Sequence, residues 1–153
     1  AAFGFEQLSV WQKAIEFADL VYDVSETFPR VETFGLTSQL RRAAVSVSSN
    51  LAEGSGRGSK QGFSRFVEIA FGSVCEVVSQ THLAKRRGFV TEEQLSTVRA
   101  KGEELGKMMA AFDQASHETE LSTINIHHQL FQMQIAEVIG RVVSTIKHPS
   151  MDG

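Results

Sequence analysis

Residues 39–73, QLRRAAVSVSSNLAEGSGRGSKQGFSRFVEIAFGS, read as helix, glycine loop, helix. The first half is dense in small residues: Ala43, Ala44, Ser46, Ser48, Ser49 and Ala52. Small side chains at helical spacing let a neighbouring helix come close, so this half reads as an inner helix of a bundle. Gly54, Gly56 and Gly58 then end it, because glycine accepts the left-handed conformation that a helix stop needs. Ser59 is placed to cap the next helix, and Phe63, Phe66, Val67, Ala70, Val74, Val77 and Val78 carry an apolar stripe onward. Two helices joined by so short a loop must lie antiparallel.

Towards the N-terminus, a first helix is expected from Ser9 to Phe28, stopped by Pro29. Trp11, Ala14, Ala18, Val21 and Ser25 form one stripe, and Ile15, Phe17, Leu20, Val24 and Phe28 widen it. That is more apolar surface than one neighbouring pair of helices needs, so Phe17, Leu20 and Val24 are read as a subunit contact. Substituting Phe17 and Leu20 by Glu is expected to break an assembly while helical content survives. Thr37 or Ser38 is the expected cap of the second helix.

Towards the C-terminus, Gly88 ends the third helix, and Thr91 with Gln94 fits a capping box. Glu92 and Glu93 suit the positive end of a fourth helix. Its Leu95, Val98, Gly102, Leu105, Met109 and Phe112 recur at 3-4-3-4-3 spacing. The fold class is therefore all-α, an antiparallel up-down four-helix bundle over residues 1–115, followed by a C-terminal extension over 116–153. In the extension, Ile135, Val138, Ile139, Val142, Val143 and Ile146 match a helical stripe, whereas Gly140 and the β-branched density favour a strand. Periodicity leaves both open, and extended structure is slightly preferred.

At 153 residues, with 42% hydrophobic and 22% charged, the chain suits one soluble domain with a real core. No run approaches a membrane span, and the first residues lack a basic-then-apolar pattern, so neither a span nor a signal sequence is expected. The lone Cys75 cannot make an internal disulfide, so the cytoplasm is the expected compartment. Between Val74 and Val78, it reads as a buried core thiol. The net charge of −3 hides a basic middle: Arg41, Arg42, Arg57, Lys60, Arg65, Lys85, Arg86 and Arg87 against Glu53, Glu68 and Glu76. These eight are the candidate nucleic-acid-binding residues, with solvated bundle charge as the plain alternative. Phe63 and Phe66 beside Arg65 are read as part of the apolar stripe and not as partners of the bases, which favours phosphate contact over base stacking.

Little argues for an enzyme. GSGRGSK lacks the spacing of a phosphate-binding loop and comes after a helix, so it reads as a helix stop and restart. A weaker possibility stays open, a phosphate held by free amides at the start of the third helix with Arg57 and Lys60. His127 and His128 are adjacent and point about 100° apart on a helix, while His82, His117 and His148 have no spaced partner. No catalytic residue, metal site or cofactor is assigned.

Three runs carry a family resemblance: VWQKA, LTSQLRRAAVSVSSNLAEG, and FSRFVEIAFGS. Over roughly residues 3–115 the chain resembles the small four-helix proteins encoded in bacterial 23S rRNA intervening sequences. It is similar also to their relatives, the accessory variability determinants of diversity-generating retroelements. The resemblance implies a barrel-shaped homopentamer and no known activity. For the retroelement relatives it implies binding of RNA or DNA and of a reverse transcriptase through basic surface. The last stretch, MQIAEVIGRVVSTIKHPSMDG, looks like the first strand and turn of bacterial microcompartment vertex shell proteins, which implies a shell protein as a possible partner. The expected function is a non-enzymatic scaffold that binds nucleic acid or a ribonucleoprotein. The alternative is a structural or protein-interaction module whose tail links it to a shell.

Overall fold

The computed structural model describes residues 3–146. Residues 1–2 and 147–153, His148 and Pro149 included, lie outside the described residues, as does the side chain of His117. Helix α1 spans Ser9–Glu26, α2 Leu36–Ser55, α3 Lys60–Arg86 and α4 Glu92–Ile146, and there is no strand among the described residues. Short 3-10 turns at Gly4–Gln7 and Arg30–Glu32 lead into α1 and α2. The backbone separates into two compact units, one ending at Ser116 and the other beginning at His117, and α4 contributes to both.

In the first unit each helix turns one stripe inward. Ala14, Phe17 and Val21 of α1 meet Leu40, Val47 and Leu51 of α2, Ala70, Val74 and Val77 of α3, and Val98, Leu105 and Met109 of α4 in one core. Their spacing of three and four residues is what a helix needs to keep one face dry. Ion pairs from Lys13 to Glu104 and from Lys101 to Glu16, each 3.8 Å, lay α4 along α1. Lys13 also hydrogen-bonds Glu16 at 2.9 Å. That bond holds the Glu16 carboxyl below its usual range and the Lys13 ammonium above its own. The rings of Phe28 and Phe89 lie 5.5 Å apart, which puts the end of α1 beside the α3–α4 turn, as an up-down bundle requires.

The local signals that act over three residues appear as expected. The Ser59 hydroxyl accepts the Gly62 amide at 3.0 Å. Thr91 and Gln94 bond reciprocally, amide to side chain, at 2.8 and 3.1 Å. Gly88, at φ 76°, closes α3 in the left-handed conformation. The start of α2 differs, because neither Thr37 nor Ser38 caps it. Glu32 reaches over from the preceding turn and its carboxylate accepts the Leu36 amide at 3.0 Å. An acidic side chain there also suits the positive helix end.

Three expectations are overturned by packing. Gly54 does not end α2; it lies inside the helix, buried, where an added Cβ would meet the Phe66 Cβ at 2.6 Å. Its role is close approach of α2 to α3. Phe17, 0% exposed, and Val24 belong to the chain's own core, and Leu20 packs half-buried against it. Much of the wide apolar face of α1 is covered because α1 meets α2, α4 and the lead-in turn, while Ile15 stays exposed. Cys75 is exposed, not buried: Val74 and Val77 point inward, and one residue further round the helix faces outward. Gly102 and Gly106 leave an open apolar groove of about 670 Å³ beside it, walled by Phe71 and Val78.

The extension is helical through Ile146, where extended structure was preferred. A lone strand would leave its backbone groups unpaired along both edges, whereas a helix pairs them within the segment. Gly140 then costs only about 1 kcal/mol in a helix interior, too little to break it.

Candidate nucleic-acid interface

The antiparallel pair α2 and α3 positions most of the basic residues. The hydroxyls of Ser46 and Ser73 lie 2.9 Å apart and mark where the two helices are level. Counting from that pair, Arg42 stands level with residue 77, nine residues short of Arg86. At 1.5 Å per residue the separation along the axis is about 14 Å. Counting from the glycine loop instead, as the sequence alone allows, sets Arg42 level with roughly residue 72 and Lys85 to Arg87 about 20 Å beyond it. The structure draws the groups closer, because α2 and α3 pair in a different register.

Arg41 is held. Its Nε donates to the Ser25 hydroxyl at 2.8 Å, and its guanidinium lies 4.6 Å over the Tyr22 ring. Within the bundle Arg41 is thus engaged by a hydroxyl and an aromatic face. Arg42 is exposed and shares a polar groove with Gln39, Ser46 and Glu76. On its other side opens a second groove of about 720 Å³, bounded by Tyr22, Phe34, Arg41, Arg42 and Ser49. Phe34 is 96% exposed there.

Tyr22 and Phe34 are the residues that reading along the chain missed. They stand 19 and 7 positions before Arg41 and only the α1–α2 turn brings them beside it. The expectation that no aromatic accompanies the bases is therefore corrected. One signal was available: Phe34 is a large apolar residue in a connection, outside every helical stripe.

At the same end of the bundle, Arg86 and Arg87 are exposed on the last turn of α3. Lys85 is half-buried and pairs with Glu92 at 3.8 Å, while Arg87 sits 5.9 Å from the Phe89 ring centre. The far end carries Arg57, Lys60 and Arg65, all exposed. Arg57 is engaged by Glu53 at 2.6 Å and lies 4.7 Å over Phe66. Ser59 already takes the Gly62 amide, one of those a phosphate at the start of α3 would use. The eight basic residues thus divide into Arg41, Arg42, Lys85, Arg86 and Arg87 at one end and Arg57, Lys60 and Arg65 at the other.

Among the described residues, no three His, Cys, Asp or Glu side chains are grouped to hold a metal ion. No described helix is long and apolar enough to cross a membrane.

The sequence model of the family described as 23S rRNA-intervening sequence protein matches residues 6–111. The chain belongs to that family. All eight basic residues fall within the span matched to the 23S rRNA-intervening sequence family, and the extension lies beyond it. A solved structure similar to this chain is a protein with unknown function from the S23 ribosomal protein family of Bacteroides thetaiotaomicron. The two share 22% identity at a TM-score of 0.62, over 67% of this chain and 95% of that one. At that identity the likeness is one of fold. No curated protein gives a significant match.

Proposed function

We propose that this member of the 23S rRNA-intervening sequence family is a non-enzymatic, cytoplasmic, self-associating scaffold that binds nucleic acid through one end of its bundle. The observation that carries this is the gathering of Arg41, Arg42, Lys85, Arg86 and Arg87 where α2 begins and α3 ends. Four of the five are arginines, whose planar fork suits phosphate oxygens better than a lysine point charge does. A homopentamer, as the family resemblance implies, would repeat this group around an axis. Glu26, Glu32, Glu92 and Glu93 share this end, so the reading rests on the grouping of the arginines and not on a net positive charge.

The test is RNA binding as a function of salt. Wild type should lose affinity steeply as salt rises. Lys85→Ala, Arg86→Ala and Arg87→Ala together should flatten that slope by roughly one unit for each phosphate the variant no longer touches. Arg57→Ala with Lys60→Ala probes the far end and should change the slope less. Equal binding by the triple variant and wild type, or no binding at low salt, would reduce these residues to solubilising charge.

A second reading has its own observation. The exposed apolar residues of the extension, such as Phe131 and Val138, favour a protein-interaction module whose tail engages a shell protein or another protein partner.

A further inference from the structure

The helical extension carries apolar residues that no other described residue of its own unit covers. Ile124, Phe131, Ile135 and Val138 are between 38% and 64% exposed. Together with His128, also exposed, they recur at intervals of 4, 3, 4 and 3 residues, the a/d repeat of a coiled coil. The sequence extends that spacing to Leu121 on one side and Val142 on the other. Residues 121–142 thus complete about three heptads, the length at which such a repeat argues for a coiled coil. The register that continues the bundle's own seam passes Ile126, Leu130 and Met133, then meets Glu137 and Gly140. Only the register through Phe131 keeps apolar residues on both sides of its one polar position, His128.

We propose that residues 121–142 form a parallel coiled coil with the same segment of a second copy of this chain. A heptad seam is complementary to itself, which a groove-binding face is not. The charges agree: across a parallel pair, His127 would face Gln132 and Gln134 would face Ile139, so no like charges oppose there. The area agrees as well. Large aliphatic and aromatic side chains cover roughly 60–120 Å² each when buried. The apolar seam positions with Ile139 beside them therefore offer about 400–800 Å², whose upper end is the roughly 800 Å² per partner of a stable interface. A bilayer surface fits poorly, because an interfacial helix needs a basic polar face. Residues 117–146 hold Arg141 as their one Lys or Arg, against Glu118, Glu120 and Glu137.

Cysteine cross-linking of the full chain in a Cys75→Ser background tests this. In a parallel pair a seam residue meets its own counterpart, whereas Met133, 68% exposed on the opposite face, does not. Under mild oxidation at low micromolar concentration, Ile135→Cys should form a disulfide dimer at least tenfold faster than Met133→Cys. Adding Phe131→Glu should slow the Ile135→Cys reaction by a similar factor with helical content retained. Equal cross-linking at both positions, none at either, or indifference to Phe131→Glu would overturn the coiled coil. The contrast between two positions of one helix is blind to association through the bundle, so it stands or falls independently of the nucleic-acid reading.

Discussion

Replacing Gly54 by Ala tests the packing of α2 on α3 most directly. In a helix interior alanine is favoured over glycine by about 1 kcal/mol, so an unhindered site would gain that much. At Gly54 the added methyl would stand 2.6 Å from the Phe66 Cβ and 3.0 Å from the Phe63 ring. Phe66 Cβ is bonded to the backbone of α3, so no rotamer change relieves the clash; α3 itself must shift. Overpacking of this kind costs about 1–3 kcal/mol, and the upper part of that range applies here. The net expectation is a loss of about 1–2 kcal/mol, or a melting temperature lower by roughly 2–8 °C in a chain of this size. Gly72 supplies the control, because it lies exposed in α3 with nothing within 4 Å of an added Cβ. Gly72→Ala should raise the melting temperature by roughly 2–4 °C. Thermal unfolding of both variants, monitored by far-ultraviolet circular dichroism, reads the difference. If Gly54→Ala melts at or above wild type while Gly72→Ala behaves as expected, α2 and α3 are not held at the separation described.

Helix α1 sets two further outcomes. Phe17→Glu should abolish cooperative folding, since it buries a charge without a partner and removes a ring worth about 3–5 kcal/mol; Leu20→Glu should be milder, and retained helical content in Phe17→Glu would show that α1 is not seated as described. Glu16→Gln should affect stability only where the carboxylate is charged. The hydrogen bond to Lys13 lowers the Glu16 value from its ordinary 4.5, so its contribution is present above that pH and fades as pH falls through the lowered value. Lys13, raised from 10.5, keeps its contribution below that pH and loses it as pH rises through the raised value. Denaturant midpoints should therefore differ near neutrality and converge in acid, and a difference that persists in strong acid would contradict the assignment.

The exposed basic end is less legible in the sequence than the core. Arg41 and Arg42 stand next to each other in sequence, yet one is held against Tyr22 and Ser25 while the other faces a groove with Glu76. The charge count was legible in residues 41–87; which arginines have partners was not. Phe34 shows the same limit, because its nearness to Arg42 depends on the turn between α1 and α2.

What the sequence by itself determined was everything that acts within one or two turns. The apolar stripes, the Ser59 cap, the Thr91–Gln94 capping box and the stop at Gly88 were all readable, because each partner lies within a few residues on the same segment. Those signals suffice for four helices and, with short loops between them, for their antiparallel order. Tertiary structure alone decided what each residue does once helices meet. It turned Gly54 from a stop into a point of close approach, drew Phe17 into the core, and left Cys75 outside it. The extension is helical as far as Ile146 for a local reason that its β-branched bias hid, since a helix pairs its backbone groups within the segment. A stripe shows which face wants burial, but the rotation and spacing of neighbouring helices determine how much of that face is covered, and those depend on residues far away in the chain.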